Sequence, residues 1–383
     1  MPWDETTRMT QRLKFVFALE SCQYTMSELC DRFGISRKTG YKWAERYVRE
    51  GPGGLVDRSR APLSSPQRMS SEASQELVKL RRRFPGWGPH KLKAFLEGQR
   101  PELKVPAAST IGDLLKREGL VEPRRPRRRH LPPQAPRVEA VAANDVWSSD
   151  FKGQFRLGDG GLCYPLTVSD GYSRYLLGCE GLESPSGQAS RQVFERLFRE
   201  YGLPRAILTD NGSPFAAARS LARLSRLSVW WIKLGIRPVL TQPGHPEQNG
   251  RHERMHRTLK AETARPPGAD AGQQQERFDQ FRRVYNEQRP HQALGQTTPA
   301  ALYEPSTRPY PSRLEPWQYP GHFEVRTVRT AGEIKWQGEL LYVSDALAGE
   351  QIGLEEVEED QWAVYFGEVL IARFDGQERK LYG

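Results

Sequence analysis

The sequence predicts a multidomain protein: helix-turn-helix units in front, a central α/β core with a mixed five-stranded sheet, and a small all-β barrel at the end. Three observations predict it. Between residues 10 and 50 apolar residues recur at helical spacing in three pieces, broken at Gly34. From Asp145 the pattern changes to short strand-like runs alternating with amphipathic helices. After residue 320 short Val/Ile/Tyr/Trp-rich runs are separated by turn residues. A chain of 383 residues also exceeds one typical domain.

In the front segment, residues 11–20 carry Leu13, Val16, Phe17 and Leu19 on one helical stripe. Thr25 or Ser27 is the cap of a second helix, 26–33, and Ser36 caps a third, 37–48. Helix, Gly-containing turn, helix is a helix-turn-helix pattern. Its later helix enters the major groove with its N-terminal residues leading, here Arg37, Lys38, Thr39 and Lys42. Tyr41 and Trp43 read as core residues. A second unit of the same kind spans 69–122, with Ser71 and Ser109 as caps and Arg81, Arg82 and Arg83 along one helix. Residues 123–139 form a basic Pro-rich linker whose Arg124, Arg125, Arg127, Arg128 and Arg129 suit a phosphate backbone.

The core is expected over 140–305. Residues 147–151, 162–170 and 175–182 read as strands, with Asp170-Gly171 as a turn. Helix 186–201, strand 205–209, a helix over 216–234, strand 236–241 and helices 247–264 and 275–288 follow. The barrel is expected over 320–383, and the first helix-turn-helix domain over 1–60.

Two Asp residues end strand-like runs, Asp150 and Asp210, and Glu253 lies inside a helix after a Gly/Pro/Asn-rich loop. Three such carboxylates suit a hard ion such as Mg²⁺, with Mn²⁺ as the alternative, and metal-assisted phosphodiester chemistry. Arg257 and Lys260 follow Glu253 at i+4 and i+7 and place positive charge beside the scissile phosphate. Glu247 starts the helix, where a carboxylate complements the macrodipole. His252 and His256 lack a third ligand at metal-site spacing and read as phosphate-facing or structural.

Charge is distributed unevenly. Residues 1–138 hold 28 Lys and Arg against 15 Asp and Glu, whereas residues 320–383 hold 6 against 13. The basic front implies a polyanionic partner. Four cysteines without a CxxC pair, and no His before His90, argue against a zinc finger near Cys22 and Cys30, and so few cysteines suggest a reducing compartment. No apolar run of membrane-spanning length and no signal-peptide core occur, so a cytoplasmic protein is expected.

The ordered motifs FGISRKTGYKW, GWGPHKL, VWSSDFKG, SDGYSRY, LTDNGSPF, GHPEQNGRHERMHRTLK and YNEQRPHQALGQTTPAALY, followed by the β tail, resemble the integrase-core family of bacterial insertion-sequence transposases, relatives of retroviral integrases. The resemblance implies a ribonuclease-H-like core and a DDE metal triad of Asp150, Asp210 and Glu253. It implies binding to double-stranded DNA at element ends and target, cleavage with a divalent metal, joining of the freed 3′-hydroxyl to target DNA, and a homo-oligomer on DNA. A transposase-derived DNA-binding protein with an inactive core, or a nuclease of the same fold, are the alternatives. The stretch from Asp210 to Glu253 is longer than the family's commonest spacing, which fits a longer helix around Leu221 to Leu234.

Overall fold

Ser and Thr caps punctuate the front of the chain. The computed structural model describes residues 7–58, 69–121, 138–217, 220–242, 250–376 and 381–382, and divides into two compact units, 1–68 and 69–383. In the first, α1 (Arg8–Glu20), α2 (Met26–Phe33) and α3 (Arg37–Glu50) are capped by Thr7, Thr25 and Ser36. Thr25 and Glu28 close a capping box, which settles the choice of cap. Gly34 ends α2 in the left-handed region, φ 64°, where glycine avoids the Cβ penalty. Phe15, Val16, Leu29, Cys30, Trp43 and Leu55 form the core. Trp43 is buried as expected; Tyr41 is 60% exposed, because it lies on the side of α3 that faces away from α1 and α2.

The second unit begins with α4 (Ser71–Arg83), α5 (Pro89–Gln99) and α6 (Ala108–Arg117), packed around Leu77, Trp87, Leu92, Leu96, Ile111 and Leu114. Ser70 rather than Ser71 caps α4, and α6 has Ala107 at its N-cap and no side-chain cap, so Ser109 lies inside the helix. Arg81 donates to the carbonyls of Trp87 and Leu120, a structural use of one of the three arginines.

The α/β layer follows. Strands β1 (Val146–Phe151), β2 (Phe155–Arg156), β3 (Leu162–Asp170), β4 (Leu176–Leu182), β5 (Ala206–Thr209) and β6 (Arg237–Leu240) build one mixed sheet. Its long strands run β4-β3-β1-β5-β6, with the two-residue β2 added to β3. β4, β3 and β1 are antiparallel neighbours, whereas β5 and β6 join in parallel. Side chains alternate between faces along each strand. Trp147, Leu166, Val168 and Ile207 point to the face covered by α7 (Gly187–Tyr201) and α8 (Arg226–Lys233). The other face receives α9 (Gly250–Thr263) and α10 (Ala271–Arg283), through Met255, Leu259, Phe278 and Phe281 against Cys163, Leu176 and Cys179. Each such fully buried apolar side chain contributes roughly 1.5–3 kcal/mol.

The helix expected over 216–234 is shorter. Residues 221–223 form a single 3₁₀ turn interrupted by Ala222 at φ 49°, and α8 begins only at Arg226, after a capping box at Ser225 and Ser228. A left-handed Ala breaks an α-helix, so the chain can start the helix only at the next good cap. All of 227–232 is buried in α8. One side packs on the sheet; Leu224, Val229 and Ile232 instead join the core of the C-terminal β segment.

That segment comprises β7 (Glu324–Thr327), β8 (Glu333–Trp336), β9 (Glu339–Tyr342), β10 (Gln351–Glu358), β11 (Gln361–Phe366), β12 (Val369–Asp375) and β13 (Leu381–Tyr382). It is all β as expected, but among the described residues the barrel is not closed. Five strands form an open antiparallel sheet, β13-β12-β11-β10-β7, and β8-β9 is a separate hairpin. Closure needs tilted, staggered strands of sufficient length. The edge strand β13 pairs through only two residues, and the sheet covers its apolar face on α8.

Candidate active site

The sheet alternation decides where the two aspartates point. In β1, Val146, Ser148 and Asp150 face away from Trp147; in β5, Ala206, Leu208 and then Asp210 face away from Ile207. Parallel pairing aligns Val146 with Ala206 and Ser148 with Leu208, which brings Asp150 near the end of β1 close to Asp210, the residue that follows β5. Both lie on the face that α9 covers. Glu253 is in the first turn of α9 and exposed, on the flank opposite the buried stripe of Met255 and Leu259.

Electrostatics tie the three together. Burial, then the neighbouring Asp210, and more weakly Glu253, push the Asp150 carboxyl up to about 7. The Phe151 amide and Lys152 oppose that shift. The Asp210 carboxylate accepts from the Gly212 amide at 3.2 Å, which orients it at the strand end. Among the described residues no three His, Cys, Asp or Glu side chains are drawn together closely enough to hold an ion. The donor set itself fits a hard divalent cation: three carboxylates, one of them half-buried and protonation-prone through burial and then its carboxylate neighbours.

Behind Asp150 stands a group that the sequence pattern left unnoticed. Thr167, opposite Asp150 in the β1–β3 ladder, faces α9. Its hydroxyl meets Nε2 of His252 at 2.6 Å and Nε2 of His256 at 2.5 Å, and donates to the Asp150 carbonyl at 3.1 Å. Both imidazoles are buried, 2% and 1% exposed. Burial pushes the first down to about 3; burial, His252 and Lys152 push the second far down, so both stay neutral. His256 Nδ1 lies 3.5 Å from Asp150 Oδ2. The pair is therefore structural, packing α9 onto the sheet. The alternation of β3, with Thr167 and Ser169 on the α9 face, is the signal that could have revealed it.

Asp170 fills the turn role expected. Its buried carboxylate accepts from the amides of Asn144 and Ser173 at 2.8 Å each and from the Ser173 hydroxyl at 2.7 Å. Arg257 and Lys260 are exposed on the Glu253 side of α9. In the separate front unit, Arg37, Lys38 and Lys42 are exposed at the start of α3, while Thr39 is half-buried and bonded to the Ser36 cap. Lys42 also lies over the Trp43 ring at 4.8 Å. Glu247, Arg124, Arg125, Arg127, Arg128 and Arg129 lie outside the described residues.

Comparison with known proteins finds domain matches along the chain. The integrase core domain family matches residues 140–246 and again 234–299. A helix-turn-helix domain matches 11–62, a homeodomain-like domain 39–115, and the C-terminal domain of IS481 family transposases 323–381. An uncharacterised 39.2 kDa protein of insertion element IS476 from Xanthomonas euvesicatoria is 28% identical over 243 residues, 63% of this chain and 66% of that protein. The chain thus spans just under two thirds of that relative. An uncharacterised 31.7 kDa protein of insertion element IS407 from Burkholderia multivorans is 28% identical over 254 residues, 64% of this chain and 87% of that protein. The catalytic core domain of HTLV-2 integrase in complex with magnesium overlays 43% of this chain and all of its own at 13% identity, with a TM-score of 0.35.

Fold, motif order and domain matches define an integrase-core protein of the DDE superfamily, with helix-turn-helix DNA-binding domains in front. Within that superfamily the chain is similar to proteins of bacterial insertion sequences, and its C-terminal segment to that of IS481 family transposases.

Proposed function

We propose that this chain is a transposase that binds the terminal inverted repeats of its element, cleaves the DNA there, and joins the 3′-hydroxyl ends to target DNA. The observation that carries the reading is that Asp150, near the end of β1, feels the carboxylates of both Asp210, just past the end of the parallel neighbour β5, and Glu253 on α9. Those three carboxylates would hold Mg²⁺ or Mn²⁺. When bound, the ion supplies activation of the attacking oxygen and charge neutralisation at the phosphate.

The chain's own residues do the rest. Burial and the strand backbone fix Asp150, and the Gly212 amide fixes Asp210. Exposed Arg257 and Lys260, on the Glu253 flank, hold the phosphate groups on either side of the scissile bond. Arg37, Lys38, Thr39 and Lys42 lead α3 into the major groove and choose the element end, and the arginines of the 123–139 linker follow the phosphate backbone. Multiple copies of the chain would bring two ends to one target.

The test incubates the full-length protein with Mg²⁺ and a duplex carrying the inverted repeat that flanks its gene. Nicked ends and covalently joined target products are expected. Hydrolysis without joined DNA would indicate a nuclease of this fold, and binding without metal-dependent nicking a DNA-binding protein with an idle core.

A further inference from the structure

The other flank of α9 carries the inference. A helix turns about 100° per residue, so Glu253, Arg257 and Lys260 share one flank, while Arg251, Arg254 and Thr258 share the next. Beside this second flank lies an open cavity of about 770 Å³, walled by α5, α9 and the segment after α10. Its cations are Lys91, Arg174, Arg251, Arg254, Arg257 and Arg289. They come from four separate stretches of chain.

Little answers that charge. Arg289 pairs with Glu262 at 3.1 Å. Among the described residues no carboxylate lies within ion-pair distance of Lys91, Arg174, Arg251, Arg254 or Arg257. Arg251 makes one long contact, 3.4 Å, with the Gly171 carbonyl. Burial, then Arg289, hold Lys91 down to about 8; burial, then Arg251, hold Arg174 down to about 10. Arg174 also sits in the left-handed region at φ 66°, which a long side chain adopts at a cost. Lys91 and Arg174 are half-buried and Arg251, Arg254 and Arg257 exposed, so six cations converge on one open wall with a single ion pair among the described residues, and an anion brought from outside relieves their mutual repulsion. The cavity is open and its charges are spread over several elements, which fits a run of phosphates better than a single ion.

We propose that this cavity binds the phosphodiester backbone of duplex DNA at a site distinct from the carboxylates, on the adjoining flank of the same helix. It rests on the transposase reading. Arg254 adjoins Glu253 in sequence, so a backbone held in the cavity fixes the register of the strand that reaches the carboxylates. Lys91 makes the grip depend on both the second helical unit and the core.

The test measures affinity of the full-length protein for a random-sequence duplex as salt is raised. Each phosphate neutralised contributes about 0.9 to the slope of log affinity against log salt, so Lys91→Gln/Arg254→Gln is expected to flatten it by about 1.8. The charge-preserving Lys91→Arg/Arg254→Lys keeps the original slope, which separates lost charge from lost fold. An unchanged slope in the neutral double variant, or equal flattening in the charge-preserving one, overturns the proposal while wild-type binding leaves the transposase reading standing. Failure of the wild-type chain to bind duplex DNA overturns both.

Discussion

Asp150 is where the candidate site and the stability of the fold oppose each other. In an unfolded chain its carboxyl titrates near 3.9, and in the folded chain at about 7. Between these values the folded state holds a proton that the unfolded state lacks. The stabilisation is therefore full below about pH 4 and is lost as pH rises through about 7. Without metal, Asp150→Asn should raise stability at pH 8 by a few kcal/mol and change it little at pH 4. Urea unfolding at the two pH values checks this, and a variant less stable at pH 8 would contradict the burial and like-charge account. Thr167→Val makes the opposite case. It leaves two buried imidazole nitrogens without their shared hydroxyl. At about 1–3 kcal/mol for each unsatisfied group, a loss of roughly 2–6 kcal/mol is expected. Thr167→Ser, which keeps the hydroxyl, should retain most of the stability in the same unfolding series.

At the scale of elements, α3 shows packing overriding helix propensity. Gly40 lies against α1 and α2, and an added Cβ there would stand 2.7 Å from Cys30 Sγ, 2.9 Å from Met26 Sδ and 3.0 Å from Phe15 Cζ. Gly40→Ala gains about 1 kcal/mol of helix propensity but meets overpacking worth about 1–3 kcal/mol. Net destabilisation of the front unit is expected, read as a lower midpoint in the Trp43 fluorescence change; a raised midpoint would show that the interface yields. How far elements could be read from sequence follows the same balance. β3 and α2 carry their own punctuation, a hairpin turn and a Thr-Gly bracket, and lie where the pattern puts them. The region around Leu221 does not, because its apolar residues serve two partners, the sheet and the C-terminal strands, and so mimic one long helical stripe. The barrel failed for the same reason: alternation shows that a strand has an apolar face, not what covers it. Asp150, Asp210 and Glu253 stand out as candidates in the sequence because each ends or opens a predicted element. Thr167 and the cavity cations do not, since only the tertiary structure brings their partners together.

For the whole molecule, charge and architecture divide the work. Residues 1–138 hold most of the excess positive charge, and the acidic tail packs on α8 of the core. The division into 1–68 and 69–383 leads to the expectation that a 69–383 fragment keeps one cooperative unfolding transition and loses selective binding to the element end. Circular dichroism melting and a competition gel shift measure the two properties separately. Loss of cooperative folding in the fragment would contradict the division.

The central claim is that Asp150, Asp210 and Glu253 act together on DNA held elsewhere on the chain. Its most direct test is strand transfer by Asp150→Asn, Asp210→Asn and Glu253→Gln, assayed with Mg²⁺ alongside a gel shift on the same inverted-repeat duplex. All three variants are expected to lose joined product while shifting the duplex with wild-type affinity. Joined product from any one of them, or loss of the shift together with the product, would contradict the assignment.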